Sequence, residues 1–289
     1  MTSAVKLEKR GALTALRATT PYSECVLFPE NGAQVVSFVP KGFEDIFWVS
    51  STSEYEKGSA VRGGIPICWP WFGPHPTDKS LPNHGFARTA EWSFDGAEFK
   101  ADGTMDIKMS LPPSDKIHRM WPRNFELKYV VTVGKTLKCV LTTTNLDDEP
   151  MPLTQALHTY FQVADVREAT VEGLDGVEYI DTLDGYKRKI QHGPITFAGN
   201  VDSVYVASEG DRFVRDGKGG RVIRVSKSGS ASDVVWNPWI EKAREMDDFA
   251  DDEYLNMLCM ETTNAFDDKR EIPPGESHSL SAEFAVSKT

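Results

Sequence analysis

The 289-residue sequence has no apolar run that approaches the roughly 18 residues needed by a membrane-spanning helix. Its N-terminus lacks the basic region and uninterrupted apolar segment of a secretory signal peptide. These absences exclude a membrane partner and predict a cytoplasmic protein.

Cysteine is scarce, and the four cysteines form no Cys-x-x-Cys pair: Cys25, Cys68, Cys139 and Cys259. This spacing disfavours a zinc site or a redox motif. Each cysteine is therefore predicted to be a small, buried, apolar side chain.

Basic residues are also in deficit, since 32 Lys and Arg face 43 Asp and Glu and leave a net charge of −11. A chain with this charge repels nucleic acid and anionic membranes at long range. No nucleic-acid partner is expected, and an anionic ligand can bind only at a local cationic site.

Helical patterns are sparse and confined to residues 116–120 and 240–249, whereas short alternating segments are frequent. In Met105–Leu111 every second residue is apolar, which predicts a half-buried strand. Residues 24–39 and 125–144 each predict two strands joined by a turn. Without a helix–strand rhythm, a repeat or a linker, the pattern favours a single all-β domain, an antiparallel sandwich over residues 1–289. Its core is expected to cover about residues 24–286, with the first 20 or so residues peripheral.

The segment Leu153–Phe161 predicts a strand whose polar face carries His158, because Leu153, Leu157 and Phe161 recur on the other face. Such an imidazole can carry a proton near neutral pH. The alternative is a histidine that only bonds a neighbouring strand.

Residues 61–73 are dense in Gly, Pro and Trp, a composition suited to a stiff loop that approaches a sugar closely. They could equally form a Trp-rich corner of the core. Arg62 and Arg88 are candidates for a bidentate clamp on a phosphate or carboxylate, although either could be a salt-bridged surface residue.

Glu261 follows an apolar run, so it is predicted to be a buried carboxylate with a raised pKa, suited to general-base catalysis. The alternative is a glutamate at an exposed strand tip. Asp202 could line a polar pocket or stabilise a turn. The acidic stretch 247–253 predicts a solvated loop.

The order of these stretches carries more information than any one of them. It runs Arg62-Gly-Gly-Ile-Pro, Trp69-Pro-Trp-Phe-Gly73, His84-Gly-Phe-Ala-Arg88, His158-Thr-Tyr-Phe161, Asp202-Ser-Val-Tyr205, Val235-Trp-Asn-Pro-Trp239 and Cys259-Met-Glu261. In this order the chain resembles the aldose 1-epimerase family, and more closely its glucose-6-phosphate 1-epimerase branch.

The resemblance implies a galactose-mutarotase-like β-supersandwich with the site in a groove on the concave sheet. In that family's arrangement Glu261 corresponds to the general base and His158 to the general acid. Trp71 and Trp236 are possible walls of the pocket.

Four further residues match binding positions of the family. His84 and Asp202 correspond to residues that hold sugar hydroxyls or the ring, and Arg62 and Arg88 to arginines that receive a 6-phosphate. The resemblance thus implies interconversion of the α and β anomers of a hexose 6-phosphate, with glucose 6-phosphate as the first candidate.

Two other functions are open: a mutarotase for unphosphorylated hexoses, and a non-catalytic carbohydrate-binding module. No metal or organic cofactor is expected, because anomer exchange moves only protons. The chain is expected to be a monomer with a small sugar phosphate as its partner.

Overall fold

The computed structural model describes residues 5–289, in which all paired strands run antiparallel. In the first half of the chain the strands are β1 (Val5–Arg10), β2 (Leu13–Thr19), β3 (Ser23–Phe28), β4 (Gln34–Pro40), β5 (Ile67–Cys68), β6 (Ser93–Phe99), β7 (Met105–Ser110), β8 (Phe125–Val133) and β9 (Leu137–Asn145). Three very short strands follow, namely β10 (Met151–Leu153), β11 (Gln155–Leu157) and β12 (Tyr160–Gln162).

The second half of the chain is equally rich in strands. They are β13 (Ala169–Glu172), β14 (Glu178–Asp181), β15 (Lys187–Ile190), β16 (Ile195–Thr196), β17 (Val201–Val206), β18 (Arg212–Asp216), β19 (Arg221–Ser228), β20 (Ser232–Asn237), β21 (Met257–Asn264), β22 (Arg270–Ile272) and β23 (Ser277–Lys288). The all-β class predicted from the sequence is therefore confirmed.

Helices occupy little of the described chain. The two α-helices are α1 (Asp115–Met120) and α2 (Trp239–Arg244), and single 3₁₀ turns span Ala87–Thr89, Val166–Glu168, Thr182–Asp184, Glu253–Asn256 and Phe266–Asp268. Helix α1 begins after Ser114, whose side chain accepts the Ile117 N–H and so caps the helix. Within residues 5–289 no helix is long and apolar enough to cross a membrane.

Two large sheets form the sandwich. One has nine strands in the order β16-β13-β18-β19-β23-β9-β8-β7-β6, and the other has eight in the order β15-β14-β17-β20-β21-β11-β5, with β12 also paired to β21. Strands β1 to β4 form a sheet of their own, and β10 pairs with β22. The core lies between the large sheets, where Leu141 and Phe284 of one belong to the same apolar cluster as Leu258 and Met260 of the other.

Strand alternation explains which residues face the core. Along β8 every second residue is buried, from Phe125 to Val133, while the residues between them are exposed or half-buried. Strand β21 differs, because all eight of its residues are buried. Its core-facing side carries Leu258 and Met260, so its other side, with Cys259 and Glu261, lies under a second layer of side chains.

The segment 153–161 is not the single strand that the sequence predicts. It is divided among β10, β11 and β12, and His158 lies in the gap between β11 and β12. Only the Thr159 N–H leaves the ladder there, because it donates to the carbonyl of Leu157, whereas the His158 N–H donates to that of Pro66 in the register of the β11–β5 pair. Alternation fails as a guide here because both faces of this segment are buried.

The N-terminal segment, expected to be peripheral, supplies two strands of the four-stranded sheet. Strand β1 lies at the edge, but β2 packs Leu16 and Ala18 into the main core. Part of this segment therefore contributes to the apolar interior.

A buried cluster of charges fixes the end of β20. Asp233 accepts hydrogen bonds from Ser208 Oγ at 2.6 Å, from Lys227 Nζ at 2.8 Å and from Arg212 Nε at 3.0 Å. The side chains of Arg212, Lys227 and Asp233 are almost completely inaccessible to water. Because burial penalises the ammonium ion, it lowers the pKa of Lys227.

The substitution Asp233→Ala should reduce the free energy of unfolding by about 3–5 kcal/mol, because it leaves buried cations without their counter-ion. Urea unfolding followed by circular dichroism measures the loss. Glu178→Ala is the control, since Glu178 pairs with Arg188 at the surface and its removal should have little effect. Equal losses in the two variants would contradict the argument.

Candidate active site

The sheet register brings His158 and Glu261 face to face. Leu157 pairs with Thr262 and Tyr160 pairs with Cys259, so the count along both strands places His158 opposite Glu261. The Nε2 atom of His158 lies 3.4 Å from Oε1 of Glu261. The two residues are only 8% and 1% exposed. A histidine and a carboxyl group in this contact can exchange protons with a substrate bound between or beside them.

Burial shapes the protonation of this pair. Desolvation raises the pKa of Glu261 well above its ordinary value, and Asp202 acts in the same direction while Arg88 opposes it. Desolvation also lowers the pKa of His158, with further lowering by His84, Arg88 and Arg62. Burial therefore favours the uncharged form of each member of the pair.

His84 approaches the pair from the loop between β5 and the 3₁₀ turn at Ala87–Thr89. Its ring meets that of His158 edge-on, with 5.7 Å between the ring centroids. Its backbone φ of 65° lies in the left-handed region, and the next residue must be glycine, since a Cβ at Gly85 would lie 1.9 Å from the Trp69 carbonyl oxygen.

One hydrogen bond fixes the donor role of His84. The Gly73 N–H donates to Nδ1 of His84 at 3.2 Å, so the neutral ring carries its proton on Nε2. Burial and the nearby charges of Arg88 and Arg62 lower the pKa of His84 to about 3. The ring is therefore a neutral hydrogen-bond donor in the site.

Arg62 is already held by protein groups. Its Nε and Nη2 donate to the two carboxylate oxygens of Asp248 at 3.0 and 2.9 Å, and its Nη1 donates to the hydroxyl of Tyr160 at 3.0 Å. The Tyr160 ring stacks on the His158 imidazole, with 4.8 Å between centroids and 12° between planes. Tyr160 thus connects the arginine to the candidate acid.

Neither partner of Arg62 is among the candidate site residues that the sequence predicts. Tyr160 could have been found, because it lies two residues after His158 and therefore on the same side of an extended chain. Asp248 was assigned to a solvated loop, and it is indeed 47% exposed. Its bidentate contact with Arg62 spans 186 positions, which no local pattern reveals.

Arg88 is less constrained than Arg62. One of its terminal nitrogens donates to the Asn83 carbonyl at 3.0 Å, and among residues 5–289 it forms no salt bridge. Its charge lowers the pKa of both Glu261 and His158, so it lies within electrostatic reach of the pair.

Asp202 lies in a row that crosses three strands. Asp202 on β17 pairs with Trp236 on β20, which pairs with Cys259 on β21. Cys259 precedes Glu261 by two residues, so this row lies beside Glu261 on the same face of the sheet. The rings of Trp236 and Tyr160 meet edge-on, with 6.2 Å between their centroids. Desolvation raises the pKa of Asp202.

Trp71, the other candidate wall residue, packs behind the loop. Its indole N–H donates to the Pro82 carbonyl, and its ring contacts His75 and Phe86. A cavity of about 860 Å³ lies near Phe86 and Trp92 but contains none of the candidate site residues. The acid–base pair, and not cavity size, therefore identifies the candidate site.

The tautomer and protonation of His84 can be observed by NMR. Because its pKa is lowered to about 3, the ring should stay neutral between about pH 5 and 8, where an ordinary histidine titrates. Long-range ¹H–¹⁵N spectra should show a protonated Nε2, an unprotonated Nδ1 and no pH dependence. His84→Asn assigns the signal, and a titration in this range would refute the assignment.

Comparison with solved structures identifies the fold of the chain. A crystal structure from Salmonella typhimurium, provisionally described as a mutarotase, superposes with a TM-score of 0.92 at 30% identity and covers 100% of this chain and 95% of that one. A galactose mutarotase-like protein from Clostridium acetobutylicum gives a TM-score of 0.75 at 15% identity, covering 99% and 98%. The fold is thus the galactose-mutarotase-like supersandwich that the sequence predicts.

Sequence comparison gives the family. A protein of Cenchrus ciliaris, provisionally named a glucose-6-phosphate 1-epimerase, is 38% identical over 254 residues, which are 85% of this chain and 76% of the relative. A protein of Escherichia coli (strain K12) with the same provisional name is 33% identical over 262 residues, 90% of this chain and 86% of the relative. Residues 16–285 match the family described as Aldose 1-epimerase, and the chain belongs to that family.

Proposed function

We propose that this protein interconverts the α and β anomers of D-glucose 6-phosphate. The observation that supports this proposal most directly is the buried contact of 3.4 Å between His158 Nε2 and Glu261 Oε1. The charges of Arg62 and Arg88 act on His158. The provisional names of the relatives from Escherichia coli and Cenchrus ciliaris support the choice of sugar.

In the proposed mechanism Glu261, as the carboxylate, removes the proton from the anomeric O1 hydroxyl. Protonated His158 donates a proton to the ring oxygen as the C1–O5 bond breaks, which gives the open aldehyde. Rotation about C1–C2 presents the other face of the carbonyl. The two proton transfers then run in reverse and close the opposite anomer, so the enzyme ends with the protons it began with.

This mechanism requires an ionised Glu261 and a protonated His158, whereas burial favours the uncharged form of each. Arg88 and Arg62 lower the pKa of His158, so a phosphate dianion, which carries more negative charge than the Asp248 carboxylate that it would replace, raises the pKa of that imidazole. Phosphate binding would thereby contribute to the chemical step as well as to affinity.

The two arginines have different parts in the proposed clamp. Arg88 has donors free of any carboxylate among the described residues, so it can receive the phosphate directly. The Nε–Nη2 edge of Arg62 is held by Asp248, and a phosphate must exchange with that carboxylate to reach it. Since Asp248 is half-exposed, water can solvate it after the exchange.

One observation favours a second candidate, a mutarotase for unphosphorylated hexoses. The Asp248 carboxylate neutralises Arg62 in the sugar-free site, and an uncharged sugar would leave that ion pair intact. A carbohydrate-binding module without catalysis is less well supported, because it has no need for a buried acid–base pair.

His158→Ala and Glu261→Gln should each reduce kcat for anomer exchange of glucose 6-phosphate by about 10²–10⁴-fold, the usual contribution of a general acid or base. NMR exchange spectroscopy measures the rate without a coupled enzyme. His192→Ala is the matched control, because His192 is exposed and should leave the rate unchanged. If both site variants were as fast as the wild type, the mechanism would be wrong.

Arg88→Met should raise KM for glucose 6-phosphate by about 10-fold or more, since a charge-assisted hydrogen bond contributes roughly 1.5–3 kcal/mol. Arg62→Met should act in the same direction, but less strongly, because Arg62 must first leave Asp248. Neither change should alter KM for glucose. Arg215→Met, on the nine-stranded sheet, serves as the control. Equal effects on the phosphorylated and free sugars would refute the clamp.

A further inference from the structure

Cys259 lies beside the acid–base pair, although the sequence spacing of the cysteines disfavours a metal motif. It precedes Glu261 by two residues on β21, so both side chains project from the same face. Its Sγ, a ring nitrogen of His158 and a carboxylate oxygen of Glu261 all lie within 4.8 Å of one another. Cys259 is fully buried.

We propose that Cys259, His158 and Glu261 bind one Zn²⁺ ion in the sugar-free protein and that this ion blocks the site. Thiolate, imidazole and carboxylate are the ligands that Zn²⁺ takes, with bonds of about 2.0–2.3 Å and hence ligand atoms roughly 3.3–3.8 Å apart. The donor atoms, which lie within 4.8 Å of one another, need to close by up to about 1.5 Å to reach that geometry. Three protein ligands leave the fourth tetrahedral position open.

A second observation points to a ligand at this place. Oε2 of Glu261 and Nδ1 of His158 are buried, and neither has a hydrogen-bond partner in the described part of the chain. A buried carboxyl oxygen without a partner is unfavourable, and a cation that binds the carboxylate offsets this cost. Two of the three proposed ligand residues therefore each carry a buried donor atom that no protein group uses.

The donor set selects among cations. A thiolate disfavours Mg²⁺ and Ca²⁺, which take oxygen ligands, and favours softer ions such as Zn²⁺ and Cd²⁺. The two negative charges of the bound thiolate and carboxylate match the charge of the ion. Arg62 and Arg88 act against binding, since their charges lie near the pair, but Asp248 neutralises Arg62.

Binding of the ion would be inhibitory by direct chemistry. Coordination occupies the lone pair of His158 and the carboxylate of Glu261, so neither can transfer a proton to the sugar. Inhibition should be competitive with glucose 6-phosphate. This part of the inference rests on the proposed function, whereas binding of the ion does not.

The test is competition for Zn²⁺ between the metal-stripped full-length protein and a chromophoric chelator. The wild type and the control Cys139→Ala should bind one ion per chain. Cys259→Ala should bind at least about 10-fold more weakly, because even loss of an outer-shell partner of a metal ligand has an effect of this size. Cd²⁺ should give an ultraviolet thiolate charge-transfer band in the wild type.

The possible outcomes distinguish failure of the metal site from failure of the proposed epimerase function. No stoichiometric Zn²⁺ binding, no Cd²⁺–thiolate band, or equal affinity in Cys259→Ala would overturn the metal site. The Cd²⁺ band needs only the wild type, so the test holds even if Cys259→Ala misfolds. Inhibition by Zn²⁺ is expressed relative to the rate of anomer exchange that the same protein shows without metal. Zn²⁺ binding through Cys259 in a protein without epimerase activity would keep the metal site and reject the proposed function.

Discussion

The structure of the site depends on one constraint, a carboxyl group held out of water on the central strand β21. Every residue of that strand is buried, so Glu261 has protein on both sides. Desolvation raises the pKa of Glu261, and nearby charged groups raise or lower that pKa further. His158 faces it, Arg88 favours its ionised form, and Asp202 disfavours it. The chemistry of the site follows from this burial.

The register of residues 157–160 against β21 is what brings His158 to Glu261. Alternate residues of this segment bond to opposite neighbours, since the Thr159 carbonyl accepts the Met260 N–H of β21 and the His158 N–H donates to Pro66. The bond to Pro66 joins the loop 61–73 to the site. Two residues later the Tyr160 ring supports the imidazole and accepts a hydrogen bond from Arg62. The strand register and this hydrogen bond thus bring the candidate acid and the candidate phosphate arginine together.

The sequence predicted the parts of the fold in which only one face of a strand is buried. Alternation located β7, β8 and β9, since most of their outward residues are polar. It could not resolve residues 153–161, where both faces are buried and hydrophobicity carries no period. The site residues were named from ordered motifs, but the Arg62–Asp248 pair joins segments 186 positions apart. Such a contact is set by tertiary packing, which no single motif encodes.

The charge balance of the protein determines how a sugar phosphate could be selected. With a net charge of −11, the molecule repels a dianionic ligand at long range, so attraction must arise at short range. Asp248 neutralises Arg62 in the free site, and under the proposed function a phosphate would have to displace that carboxylate. A phosphate offers more charge and more acceptor oxygens than a carboxylate, so it can displace Asp248 where a neutral sugar cannot. Under the proposed function, a bound phosphate would add negative charge near His158 and so raise the pKa of that imidazole, which Arg88 and Arg62 lower.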